Sequence, residues 1–286
     1  MRRMLSVMSL FLLIRATSTR AADVTTFPAY ADSDLCARLM LGPITQSRVE
    51  CSQKTYNQGS NAVVVRLNDN TVFSVNREKL LRDYVGKLVT ATGEARDSSG
   101  TMKLESAMPL ESANIPQGDP ARKMLDVRTY RVTDSAEIHE KVRHQLAMMP
   151  YITTFDFISF SLVEDTVILT GWTVRATNRS DAAFRAKSVK GVRAVINNIE
   201  ELPLGNEDMR IRADTRGRLQ RVLSTYFWSS GSDIKIIVRN GNIILLGSVR
   251  SQADSDAANI QARTVPLAFH VFNLLRVVQP NTKEKI

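Results

Sequence analysis

The chain has only three histidines, two cysteines and two tryptophans, and aromatic residues make up 6% of its 286 positions. The shortage of histidine leaves little room for a metal centre. His139 and His144 lie five residues apart, so on a helix they diverge by about 140° and cannot present a two-ligand zinc face. No carboxylate motif completes a site around them or around His270. Gly-x-Ser-x-Gly, the P-loop and Gly-x-Gly-x-x-Gly are all missing, which removes the usual signatures of serine hydrolases and nucleotide-binding enzymes. Glu164 and Asp165 fall where a turn is expected and read as turn residues. We expect no catalytic residue, no bound metal and no cofactor.

Long apolar runs are also missing. The longest useful one, Leu5 to Ile14, is too short to span a bilayer. Arg2 and Arg3 precede it, Arg15 follows it, and Thr19-Arg20-Ala21 offers small residues where a signal peptidase reads. Residues 1–21 are therefore expected to be a cleaved secretory leader. No cysteine stands at the junction, so no lipoprotein attachment is expected. The two cysteines, Cys36 and Cys51, lack the C-x-x-C spacing of redox or metal pairs. In an exported chain they are expected to form a disulfide, contributing roughly 3 kcal/mol in the loop-entropy model for their 15-residue separation.

The formal charge of +9 is unevenly spread. The leader removes Arg2, Arg3, Arg15 and Arg20, leaving +5. Residues 22–133 are near neutral at +1, residues 134–204 carry −1, and residues 205–286 carry +5. An anionic partner should meet the C-terminal end.

Hydrophobic patterning divides the mature chain. Residues 22–46 read as poorly ordered. Residues 47–110 suggest five short strands, at Arg48–Tyr56, Ala62–Leu67, Thr71–Val75, Leu88–Ala95 and Met102–Met108. A short helix at Arg77–Tyr84 precedes the last hairpin, which together describes a small OB-like β-barrel. This stretch offers only Tyr56, Phe73 and Tyr84 as stacking platforms at near-neutral charge, so nucleic acid is not an expected partner. Residues 111–133, with Pro116, Gly118 and Pro120, read as a linker.

The rest of the chain says one thing twice, 76 residues apart. Val167-Ile168-Leu169-Thr170-Gly171 is echoed by Ile243-Ile244-Leu245-Leu246-Gly247. Val189-Lys190-Gly191-Val192-Arg193-Ala194-Val195-Ile196-Asn197 is echoed by Val265-Pro266-Leu267-Ala268-Phe269-His270-Val271-Phe272-Asn273. In the first copy Asp134 and Glu137 suggest a capping box ahead of an Ile138, Val142, Leu146 stripe. Each copy reads helix, strand, strand, helix, strand, over residues 134–204 and 205–279, with a tail at 280–286. The fold class expected is α+β: an OB-like barrel followed by two tandem αββαβ domains.

A buried strand ending in glycine, an alanine-bearing helix and a Val-x-Gly-Val-x-x-Val-x-Asn closing strand resemble the BON domain. The resemblance covers about half the chain. It implies an αββαβ sandwich, an envelope or periplasmic setting, no catalytic activity, and association with phospholipid or envelope components, with osmotic or envelope stress protection as the biological setting. One departure stands out. Leu267 replaces Gly191 in the second copy, and leucine resists the backbone angles that glycine permits.

Within the second copy, Arg210, Arg212, Arg216, Arg218 and Arg221 precede Tyr226-Phe227-Trp228. On a helix, Leu219, Val222, Leu223 and Tyr226 share one side, Arg218 and Arg221 turn to the other, and continued phase brings Trp228 beside Arg221. Such a face suits an anionic bilayer: guanidinium groups meet phosphate and indole sits at the headgroup level. The candidate membrane-binding residues are Arg216, Arg218, Arg221, Phe227 and Trp228. Two other readings stay open: a solvated arginine face with Trp228 over the core, and a protein–protein adaptor that binds envelope proteins through the sheet faces or edges of its repeats.

Overall fold

The computed structural model describes residues 24–119, 121, 122, 125, 132–228 and 233–278; the expected leader and the tail lie outside them. No helix among the described residues is long and apolar enough to cross a membrane.

Five strands close a barrel: β1 (Val24–Ser33), β2 (Ala62–Arg66), β3 (Val72–Val75), β4 (Lys87–Arg96) and β5 (Thr101–Pro109), in the order β1-β2-β3-β5-β4. Alternation in β4 sends Val89 and Ala91 inward, where they meet Phe27, Val64, Phe73, Met102 and Leu104. The N-terminal segment corrects the sequence reading. Residues 24–33, expected to be poorly ordered, supply the first barrel strand. Arg48–Tyr56, expected to be a strand, lies within helix α2 (Gln46–Asn57), which Thr45 caps by accepting from the Arg48 amide. A shorter helix, α1 (Asp34–Leu39), precedes it. The expected helix at 77–84 is two single 3-10 turns, Glu78–Leu80 and Arg82–Tyr84, which leave Leu81 buried against the barrel.

The buried stripe of α2 is polar: Arg48, Ser52 and Thr55. Arg48 donates from Nε and Nη2 to Asp32 Oδ2 on β1 at 3.0 and 2.9 Å, and from Nη1 to the Gly42 carbonyl at 2.7 Å. Ser52 donates to the other Asp32 oxygen. Both charges are sealed from water, so the pair is tolerable because its hydrogen-bonding capacity is filled. The expected disulfide joins Cys36 to Cys51 and ties α1 to α2. In the segment expected to be a linker, Ile115 and Ala121 are buried against the outer wall of the barrel.

The first repeat contains α3 (Val132–Ala147), β6 (Phe157–Val163), β7 (Thr166–Thr173), α4 (Ala176–Lys187) and β8 (Ala194–Glu201). Because α3 begins at Val132, Asp134 lies inside the helix rather than at its cap; the side chains of 132–135 lie outside the described residues. The second repeat contains α5 (Asn206–Val222), β9 (Ile234–Arg239), β10 (Asn242–Val249), α6 (Gln252–Arg263), β11 (His270–Asn273) and β12 (Arg276–Val277). In both, the central strand pairs antiparallel with the strand before it and parallel with the closing strand.

The 76-residue offset holds at the level of single bonds. Gly171 and Gly247 adopt φ of 116° and 107°, and a Cβ on either would fall 2.0 or 1.9 Å from the carbonyl oxygen of Phe157 or Asp233. Only glycine fits that approach. Asn197 donates to the Arg179 carbonyl and accepts from the Ile199 amide; Asn273 donates to the Ser255 carbonyl and accepts from the Leu275 amide. These motif residues tie the closing strand to the second helix, a structural role.

An αββαβ unit covers only one face of its sheet with helices. Here the opposite faces are covered within the chain. Leu35 and Leu39 of α1 pack with Trp172 and Leu202 of the first repeat and with Ile237, Ile244, Leu246 and Phe272 of the second. The last carbonyl of α1, Leu39 O, which a helix leaves unpaired, is met by the first repeat, where Thr170 Oγ1 donates to it at 2.9 Å; Ser161 Oγ donates to Leu41 O, two residues past the helix, at 2.6 Å. Arg38, Asp34, Glu200 and Arg239 form an ion-pair chain beside the cluster.

Trp172 is among the largest fully buried side chains and belongs to this shared cluster. Trp172→Ala should therefore cost about 3–5 kcal/mol. It should also split thermal unfolding, followed by scanning calorimetry, into separate transitions, where the wild type should melt in one.

Candidate functional site

Helix α5 buries Asp208, Ile211, Arg212, Thr215 and Leu219, an i, i+3, i+4 stripe that faces the second sheet. Asp208 holds its N-terminal end down by accepting from the amides of Asn240 and Gly241 in the β9–β10 hairpin at 3.0 and 2.8 Å. The stripe splits the arginine cluster. Arg212 is on the buried side, where Nη2 donates to the carbonyls of Pro203 and Val238. Burial holds its guanidinium below the ordinary arginine value, opposed by Asp208 and Asp156. Arg210, Arg216 and Arg221 are exposed. Arg218 is half-buried, and its Nη1 donates to Thr264 Oγ1 at 3.0 Å, beyond the end of α6.

The helix stops at Val222. Leu223 leaves helical geometry at φ −130° and ψ 38°, and a 3-10 turn, Ser224–Phe227, follows. The expected continuous phase from Arg221 to Trp228 is therefore broken, and Val222, expected to face inward, is exposed. Tyr226 pins the turn: its hydroxyl donates to Asp254 Oδ2 at 2.8 Å and accepts from the Arg250 amide at 2.9 Å. Its neighbours take opposite fates. Phe227 enters the core cluster of the second repeat, so its inclusion among the membrane-facing residues is corrected. Trp228 is 79% exposed. Of the five candidate residues, Arg216, Arg221 and Trp228 are exposed, Arg218 is half-buried and Phe227 is in the core.

The turn between α6 and β11 keeps the geometry of its counterpart despite the substitution. Leu267 adopts φ 67° where Gly191 has 101°. The backbone is retained, and the leucine takes the left-handed conformation with its side chain exposed.

His139 lies against the Phe160 ring, with centroids 4.6 Å apart. No group of three or more potential metal ligands occurs among the described residues. A cavity of about 260 Å³ at the module junction is lined in part by Asp34, Arg38, Trp172 and Arg239, but its charges already pair with one another or with Glu200.

Tyr226 gives this arrangement a measurable signature. Tyr226 first, then Ser251, holds the Asp254 carboxyl below the usual carboxylate range. A depressed folded-state value contributes stability above the ordinary carboxylate value, and that stability is lost as pH falls through the folded one. Tyr226→Phe should destabilise the protein by about 1.5–3 kcal/mol, the range for a hydrogen bond to a charged group. It should also move Asp254 up toward the ordinary value in a carbon-13 NMR titration.

The BON domain family model matches residues 134–203 and 212–279. No curated protein matches the chain. Two solved structures are similar: CdsD, a structural protein of the type III secretion system of Chlamydia trachomatis, at 9% identity over 51% of this chain and 94% of that one with a TM-score of 0.22, and the C-terminal domain of CdsD, at 9% identity over 49% of this chain and 96% of that one with a TM-score of 0.21. BON domains are non-catalytic binding domains associated with envelope proteins and with phospholipid. The chain is a tandem BON-domain protein with a closed five-stranded barrel at its N-terminal end.

Proposed function

We propose that this is an exported, non-enzymatic protein of the periplasm that associates with anionic phospholipid through its second BON domain, in a role of osmotic or envelope stress protection. The contact is the outward side of α5, with Arg216 and Arg221 reaching phosphate, Arg218 at its flank and Trp228 entering the headgroup layer. The carrying observation is the exposure of Trp228, 79% in water, at the end of the 3-10 turn that follows an arginine-bearing helix. Indole gains most at the boundary between acyl chains and headgroups, and each nearby cation adds about 1 kcal/mol on an anionic surface. The basic excess of residues 205–286 favours the same end of the chain, and the disulfide fits an oxidising compartment.

The alternative, an adaptor binding envelope proteins through the repeats, has less to work with. The sheet faces it would use are packed against α1 and against each other, which leaves strand edges as its surface.

Co-sedimentation with phosphatidylglycerol vesicles tests the proposal. The wild type should pellet with them, release as salt rises, and ignore phosphatidylcholine. Arg216→Glu/Arg221→Glu should weaken binding by on the order of 30-fold or more, from about 1 kcal/mol per charge removed, and Trp228→Ala should weaken it separately. Vesicle binding equal to wild type in both variants would place the contact elsewhere. Indifference of the wild type to anionic lipid, with a stable protein partner in pull-down, would favour the adaptor.

A further inference from the structure

The helix-to-strand turn occurs twice with one backbone and two different surfaces. In the first copy, Arg193 donates its amide to the Asp165 carbonyl at 2.7 Å, and its guanidinium pairs with the Asp165 carboxylate at 3.0 Å. Seventy-six residues later, Phe269 donates its amide to the Gly241 carbonyl at 2.8 Å. The ion pair is gone. The phenylalanine ring lies over Gly241, so close that a Cβ there would fall 2.6 Å from it. The ring is nonetheless 75% exposed. At the preceding tip position, Gly191 is replaced by Leu267, 58% exposed and held at φ 67°.

Burial explains neither change. A leucine in the left-handed region is strained where glycine is not, and at this exposure its side chain gains little from packing. An exposed phenylalanine in place of an ion pair adds apolar surface to water. Cations flank the pair: Arg263 is exposed at the end of α6, and Arg218 reaches across from α5 to Thr264, at the start of the turn. Strain retained at a protruding apolar tip, with guanidinium groups beside it, is suited to a surface that is anionic outside and apolar beneath.

We infer that the α6–β11 turn is a membrane-inserting tip: Leu267 and Phe269 enter the acyl boundary of an anionic bilayer while Arg218 and Arg263 engage its phosphates. This rests on the lipid association proposed above and extends the contact from α5 to a second element. A bilayer fits better than a protein groove because the apolar pair sits at a turn tip with cations on its flanks.

Two measurements test it with phosphatidylglycerol vesicles. Leu267→Gly/Phe269→Ser leaves the charge unchanged and restores the first copy's glycine, so thermal stability should hold or rise while vesicle affinity falls by roughly a hundredfold or more, as expected for two large apolar side chains left in water. In the second, Phe269→Trp is made in a Trp228→Phe background, with Trp172 buried out of reach. Brominated acyl chains should quench the introduced indole and its emission should shift to the blue. Both results are required. If the wild type binds vesicles but the double variant binds equally, or the indole is not quenched at saturating lipid, the tip is refuted and the α5 contact stands. If the wild type does not bind anionic vesicles at all, both fall.

Discussion

Leu35 and Leu39 sit on a helix of only six residues, yet residues from all three modules converge on them. Each large apolar side chain removed from water contributes about 1.5–3 kcal/mol. The ion-pair chain next to them, Arg38, Asp34, Glu200 and Arg239, is a quarter to a third exposed, and pairs of that kind contribute about 0–1 kcal/mol each. The apolar cluster therefore holds the modules together, while the charges select the orientation. A six-residue helix cannot sustain itself in water. It is kept in place by Ser33, which caps it, by the disulfide to α2, and by the buried Arg48–Asp32 pair that anchors α2 to β1.

The two repeats meet this helix differently. Thr170 of the first donates to its terminal carbonyl at Leu39, and Ser161 to the carbonyl of Leu41 just beyond it. The corresponding positions of the second, 76 residues on, are Ile237 and Leu246, and both lie in the shared apolar cluster. Two copies of one sheet have thus diverged on their outer faces, one to satisfy the polar end of α1 and the other to cover its apolar side. The chain occupies its own sheets in doing so, and binding to anything else is left to the helices, turns and strand edges.

This division explains which features were legible in the sequence. The duplication was legible because its markers are steric: Gly171 and Gly247 admit no side chain, and the motif asparagines make bonds that few other residues can make. The disulfide followed from compartment and spacing. The N-terminal segment was misread because its buried residues are polar. Arg48, Ser52 and Thr55 give α2 no hydrophobic period, and buried Asp32 and Ser33 end a strand whose alternation they disguise. Within the candidate site, Trp228 emerged exposed, but Phe227 did not, because the helical phase used to place them ends at Leu223. Nothing in the residue types announces that break, which follows from Tyr226 reaching Asp254 across the fold.

The retained and altered positions of the repeat carry a further implication. The internal bonds of Asn197 and Asn273 are the same, and the turns they follow have the same backbone even where leucine must adopt a strained angle. Selection that acted on folding alone would favour glycine at both turns, since the strain at Leu267 lowers stability. The substitutions that cost stability fall in the copy with the basic excess and on its solvent side, while the copy that caps α1 keeps an ordinary polar turn. Both copies hold the modules together, through Trp172 and Leu202 in the first and Ile237, Ile244, Leu246 and Phe272 in the second, while the lipid contact we propose falls on the second copy, where the strained leucine lies.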